Sequence, residues 1–151
     1  MVNTGVGSGP GDWPEALAAI IEDFTEAFDA KERYEMLFEL AEQVDELPLE
    51  EWTAKTKVHG CQSEAHIMVG LNENGGFHLR GAADSRIVQG LIAITASALE
   101  GLSVTQVRAF SPKFVEEMGL SSALSPNRAN GFLNMFKKVK EEATLLEGQD
   151  G

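Results

Sequence analysis

The chain has 151 residues, with 24 Asp or Glu against 12 Lys or Arg and a formal net charge of −12. That balance argues against nucleic acid, whose phosphates call for a basic face, and no apolar run approaches the roughly 18 residues of a membrane span. With 43% apolar residues and one cysteine, the sequence suits one folded domain without a disulfide framework, and a reduced cytoplasm is the expected compartment.

The acid is unevenly placed. Residues 1–50 hold thirteen Asp or Glu against two Lys or Arg, whereas residues 51–151 hold eleven against ten. Such a half reads either as a solvated helical face or as a dock for a basic partner.

Residues 1–11 are Gly-rich, lack a basic n-region and an apolar h-region, and read as a flexible leader rather than a secretory signal. Residues 12–146 read as one domain and residues 147–151, EGQDG, as a short disordered tail. Asp12 is positioned to cap a first helix through Ala16, Ile20, Phe24 and Phe28, with Pro14 and Glu15 in its first turn. A second helix is expected over 31–46, where Tyr34, Leu37, Phe38, Ala41, Val44 and Leu47 recur at helical spacing before Pro48.

The period then changes. Residues 52–58 alternate as a strand does, and HGCQS at 59–63 breaks the run. Residues 64–71 and 77–83 read as two further strands joined by the turn NENGG at 72–76. Asp84 or Ser85 then caps a helix through Ile87, Leu91, Ile94 and Ala98 that Gly101 closes. Ser103 and Gln106 have capping-box spacing for a short helix at 104–109. Ser111 and Pro112 open another, ended by Gly119, and Ser125 and Pro126 open the last, with Phe132, Phe136, Val139 and Ala143 as its apolar stripe. The expected fold is α+β, a small antiparallel three-stranded sheet packed by N- and C-terminal helices.

Cys61 is the chain's sole thiol. A lone cysteine is commonly a small buried hydrophobe, but this one stands between two expected strands, where a rigid scaffold presents a loop side chain. Gly60 permits a tight or positive-φ backbone beside it, and Gln62 and Ser63 bring hydrogen-bonding groups where a packing cysteine prefers apolar neighbours. The thiolate is the reactive form and nearby cations favour it, with Lys55, Lys57, Arg80 and His59 as candidates. His59, Cys61, His66 and His78 match no structural zinc spacing, and one thiol is too few for a bound iron–sulfur cluster. No metal site is therefore expected. His59 is close enough in sequence to serve Cys61 as a local base, but no cysteine-protease signature surrounds either residue.

Several blocks in order carry a resemblance. V-H-G-C-Q-S-E-A-H at 58–66 resembles the V-x-G-C-Q-S-x-V-W signature of SufE-like proteins, which include CsdE. G-A-A-D-S-R-I-V-Q-G-L at 81–91, M-G-L at 118–120 and L-S-P-N-R-A-N-G at 124–131 continue it, and E-R-Y-E-M-L-F-E-L-A at 32–41 is similar to the family's opening helix. The resemblance implies an α+β fold like that of U-type scaffold proteins. It implies a non-enzymatic carrier whose Cys61 accepts persulfide sulfur from a pyridoxal-phosphate-dependent, SufS-like cysteine desulfurase. That carrier stimulates the desulfurase and passes sulfur to a SufBCD-like iron–sulfur scaffold, and it needs no cofactor of its own.

The same resemblance places Asp84 at the family's D-S position, as a helix cap or an interface anchor, and Arg128 near the cysteine loop. Gln62 and Ser63 are expected to hold that loop's shape. His66 stands where the family usually has tryptophan, so a titratable ring is expected near the thiol. Cys61 itself should lie tucked against the apolar body until a partner docks. A monomer is the default expectation, and the competing reading is an interaction module in which Cys61 is inert.

Overall fold

In the computed structural model, which describes residues 12–61 and 63–150, the chain enters through Trp13. Its ring packs 5.7 Å from Phe110 and 5.9 Å from Phe114, and its indole N–H donates to Glu117 at 2.6 Å. The expected leader at 1–11, Gln62 and Gly151 lie outside the described residues. Helix α1, Glu15–Thr25, starts from Pro14 at the N-cap position without a side-chain cap, so the capping expected of Asp12 is corrected. Its buried face is Leu17, Ile21 and Phe24. Phe28 falls beyond the helix end and is 90% exposed.

Helix α2, Ala30–Ala41, begins under Asp29, whose carboxylate accepts from the Glu32 N–H at 2.9 Å. It ends before the expected residue 46 because the chain turns to meet a strand. Leu47 N–H donates to Gly81 O at 3.1 Å, and Gly81 N–H donates to Asp45 O at 3.2 Å. Pro48 leads into a single 3₁₀ turn, Leu49–Glu51.

The sheet has two strands among the described residues, β1 Ala65–Leu71 and β2 Phe77–Ala83. They pair antiparallel with Val69 opposite Leu79. Asn72 closes the connecting turn: its N–H donates to Gly76 O at 2.8 Å, and its side chain accepts from the N–H groups of Asn74 and Gly76. The third strand expected at 52–58 does not form. Thr56 Oγ1 accepts from Thr53 N–H at 2.9 Å and donates to Thr53 O at 3.1 Å, winding residues 53–56 into a turn. Such local bonds compete with a ladder. What remains of the strand is one antiparallel bridge, Lys57 to His66, matched on the opposite edge by a parallel bridge, Glu46 to Gly81.

Helix α3, Arg86–Leu99, is the central element, buried on nearly every side between α2 and β2. Ser85 caps it, accepting from Val88 N–H, and Gly101 follows it at φ +80°. Gly90 lets α2 approach, since a Cβ there would stand 2.5 Å from Leu37 O. Helix α4, Val104–Ala109, starts with both halves of the expected Ser103–Gln106 capping box. Two short helices follow, α5 Phe114–Glu117 and α6 Leu120–Ala123, separated by Gly119 at φ +76°.

Helix α7, Pro126–Asp150, packs on α4 and β1, and its backbone continues through residues 147–150, where a tail was expected. Phe110, Phe114, Phe132 and Phe136 form an aromatic cluster with centroids 5.8–6.3 Å apart. Most of these contacts are edge-on or tilted, as ring quadrupoles favour. Among the described residues no helix is long and apolar enough to cross a membrane.

Candidate functional site

The loop that carries Cys61 leaves and re-enters the fold at one place. Val58 N–H donates to Ala65 O at 2.8 Å, and Ile67 N–H donates to Thr56 O at 2.9 Å, so the segment between 58 and 65 is closed at its base. The remnant of the expected strand therefore serves to pin the loop. A second clasp sits at the end of β2. Asp84 N–H donates to Glu64 O at 3.0 Å, and the Asp84 carboxylate accepts from Glu64 N–H at 3.1 Å. Ser85, not Asp84, caps α3, which frees the Asp84 side chain for the loop.

Helix α7 supplies the third hold. Asn134 Nδ2 donates to Gly60 O at 3.0 Å, and Gly60 has φ +82°. The positive φ favours glycine there, and a Cβ would also press on the Asn134 amide, 2.4 Å from Nδ2. Cys61 is a free thiol, half-buried and packed against the core.

Beside the thiol lies a cavity of about 230 Å³ lined by Cys61, Ser63, Val88, Ser125, Asn127 and Arg128. Ser125, Asn127 and Arg128 belong to the start of α7, where Ser125 Oγ accepts from Arg128 N–H at 3.3 Å. The cavity beside the thiol is thus lined by an arginine and by the first turn of a 25-residue helix, whose positive end favours an anion. Of the cations considered for the thiol, Arg128 lines the cavity. Lys57 pairs with Glu64 at 3.4 Å, Arg80 with Asp45 and Glu51 at 3.6 Å each, and neither lines the cavity. Lys55 contributes its carbonyl to Lys138, at 2.8 Å. His59 is exposed at the loop's start and is also absent from the lining.

His66 does not reach the thiol's cavity. Its ring is buried on the other side of β1 from Ala65 and Ile67 and stacks on Trp52, with centroids 4.7 Å apart and planes at 23°. Nδ1 is 2.7 Å from Thr56 Oγ1; Nε2 makes no hydrogen bond among the described residues and lies 3.7 Å from Glu64 Oε1. The titratable ring expected near the thiol is thus a packing partner for Trp52, which donates its indole N–H to Leu47 O at 2.9 Å. His78 is elsewhere, its Nδ1 2.6 Å from Glu100 and its Nε2 2.7 Å from Asp45. Those bonds hold its pKa above the ordinary histidine value, Asp45 contributing most. Among the described residues no three His, Cys, Asp or Glu converge as metal ligands.

Reasoning from sequence did not single out Asn134, Gly131, Val88, Ser125 or Asn127 as parts of this site. One signal was present: Gly131 stands inside a helix, where glycine is unfavourable without a packing reason.

Comparison with known proteins places the chain. Residues 18–143 match the model of the SufE family, described as an Fe-S metabolism associated domain. An uncharacterized SufE-like protein of Synechocystis is 38% identical over 134 residues, covering 89% of this chain and 84% of that protein. An uncharacterized SufE-like protein of Rhizobium etli is 33% identical, with 86% and 90% coverage. The chloroplastic/mitochondrial SufE-like protein 1 of Arabidopsis thaliana is 31% identical over 89% of this chain and 36% of its own length. The solution structure of a hypothetical protein from Thermus thermophilus shares the fold, with TM-score 0.73, 22% identity and coverage of 88% and 96%.

Proposed function

The chain belongs to the SufE family, and on that premise we propose that Cys61 accepts sulfur from the persulfide of a cysteine desulfurase and passes it on for iron–sulfur cluster assembly. The observation that carries this reading is the placement of Cys61 on a closed loop, half-buried beside a cavity that Arg128 and the start of α7 line.

The step is a thiol–disulfide type of exchange. The Cys61 thiolate attacks the outer sulfur of the donor persulfide. A bond forms between Cys61 Sγ and that sulfur, the donor's own S–S bond breaks, and its electron pair leaves on the donor thiolate. No net oxidation occurs, and the outer sulfur keeps whatever proton it carried. Onward transfer repeats the exchange with Cys61 as the leaving thiolate. Arg128 and the α7 N-terminus stabilise the anion at each stage, while Gly60, Asp84 and Asn134 hold the loop and Ser63 lines the cavity.

Pyridoxal phosphate belongs to the donor enzyme in this scheme, so the chain acts as an activator of that enzyme and needs no cofactor. A SufS-like donor and a SufBCD-like acceptor are the partners proposed, in a cytoplasm where a lone thiol stays reduced.

The test is intact mass after incubation with a cysteine desulfurase and cysteine, alongside the desulfurase turnover rate. A gain of one sulfur, lost in Cys61→Ser, together with faster turnover, is the expected result. No gain and no stimulation would sink the proposal in favour of an inert thiol.

A further inference from the structure

Gly131 lies in the second turn of α7 and is buried. A glycine there weakens the helix relative to alanine, so the position calls for a reason in packing. The reason is Cys61. A Cβ built on Gly131 would have Cys61 Sγ at 3.0 Å, Cys61 Cβ at 3.6 Å and Cys61 Cα at 3.7 Å as its three nearest neighbours. The space where a side chain would stand is taken by the thiol. One turn further along α7, Asn134 donates to Gly60 O at 3.0 Å. Two neighbouring positions of one helix face thus hold two consecutive residues of the loop, one by contact and one by a hydrogen bond.

We propose that Gly131 is a positioning residue for Cys61: its missing side chain leaves the seat in which the thiol lies retracted, and Asn134 latches the loop onto that seat. This inference rests on the sulfur-acceptor reading for its purpose, but its geometry concerns the free chain. The helix backbone at Gly131 closes one side of the thiol. A donor sulfur therefore reaches Sγ through the cavity or after the loop has lifted from α7. The seat covers the thiol on its α7 side and leaves it only the cavity, so wider exposure requires displacing the loop, which limits the loss of a persulfide to thiols and oxidants.

The experiment measures the alkylation rate of Cys61 by iodoacetamide in the free protein, for the wild type, Gly131→Ala and Asn134→Ala. Near-ultraviolet circular dichroism and thermal melts on the same samples report folding. A methyl group at 131 crowds Sγ at 3.0 Å, so the thiol has to give way by a few tenths of an ångström, and on this proposal it does so by loosening the loop from α7. Removing the Asn134 amide unlatches Gly60 and raises the lifted population about fivefold, the equivalent of one net hydrogen bond. Both variants are expected to alkylate about fivefold faster or more, with native circular dichroism.

A merely structural glycine predicts the opposite pattern. Gly131→Ala would then melt higher, from the gain in helix propensity, with Cys61 alkylating at the wild-type rate; that outcome overturns the proposal. Should Gly131→Ala fail to fold, Asn134→Ala decides: an unchanged rate there rejects the latch and the seat with it. No sulfur donor enters the assay, so its result is separable from the persulfide test. A thiol that opens in both variants yet never accepts sulfur leaves the seat standing and removes the acceptor reading.

Discussion

His78 offers a direct check on the physical reasoning, because its two ring nitrogens face two different carboxylates. Nε2 lies 2.7 Å from Asp45 and Nδ1 lies 2.6 Å from Glu100. A neutral imidazole has one N–H and one lone pair, so it satisfies one carboxylate and repels the other. Only the imidazolium donates to both. These hydrogen bonds and the two negative charges raise the pKa of His78, against a smaller opposing effect of burial, while Arg80, 3.6 Å from Asp45, shares that carboxylate.

A histidine with a raised folded-state pKa stabilises fully below its unfolded value of about 6.5, and the contribution is lost as pH rises through the folded value. The side chain is 35% exposed and its partners about half exposed, so solvent screening limits the clasp to about 1 kcal/mol. For a chain of this size that corresponds to about 2–4 °C in Tm.

The measurement is the difference in Tm between wild type and His78→Gln, taken at about pH 6 and again at about pH 9. Lost packing affects both pH values alike and cancels. The wild type's lead should be about 2–4 °C larger at the lower pH than at the higher. A difference that is the same at both pH values, or larger at pH 9, would refute the doubly bonded imidazolium.

Two further outcomes are expected. Gly90→Ala places a methyl group 2.5 Å from Leu37 O, so α2 and α3 must separate, and urea denaturation should show a loss of about 1–3 kcal/mol. Arg128→Ala should slow sulfur loading of Cys61 by about fivefold at most, the ceiling for one exposed ion pair, with an unchanged Tm and less sensitivity of the rate to added salt.

Where local chemistry decides structure, sequence reading reached it. The Ser103–Gln106 capping box, the Ser85 cap on α3 and the Asn72–Gly76 turn each bond within a few residues, so their signals sit next to one another in the chain. Two errors have one cause, a local period overridden by something the period does not contain. Thr and Val at 52–58 alternate like a strand, yet Thr53 and Thr56 bond to each other first. The apolar stripe of α2 runs on past Ala41, yet residues 45–47 leave the helix to bond with Gly81, remote in sequence. In α1 the small apolar residues Ala16, Ala18, Ala19 and Ile20 spread around the helix, so its phase was ambiguous, and the buried face proved to be Leu17, Ile21 and Phe24. The site divides the same way. Cys61 and its loop are contiguous and were legible, whereas Asn134 lies 74 residues from Gly60, and nothing in loop composition points to it.

That division bears on how the loop can work. Its base is fastened by backbone bonds from Val58 to Ala65 and between Glu64 and Asp84, which belong to the sheet and its edge. Between these fastenings the apex is held by the Asn134–Gly60 hydrogen bond and by the packing of Cys61 on Gly131. One net hydrogen bond contributes about 1 kcal/mol, far below the free energy that holds a folded domain together. The apex can therefore lift from α7 while the two-stranded sheet and α3 stay intact, as low-stability segments of a rigid fold do. A partner that lifts the apex has to offset that hydrogen bond and the packing of Cys61 on the core. On the proposed sulfur-acceptor role, α7 would shield the thiol and the base of the loop would present it, which reconciles protection of a sulfur with its transfer between proteins.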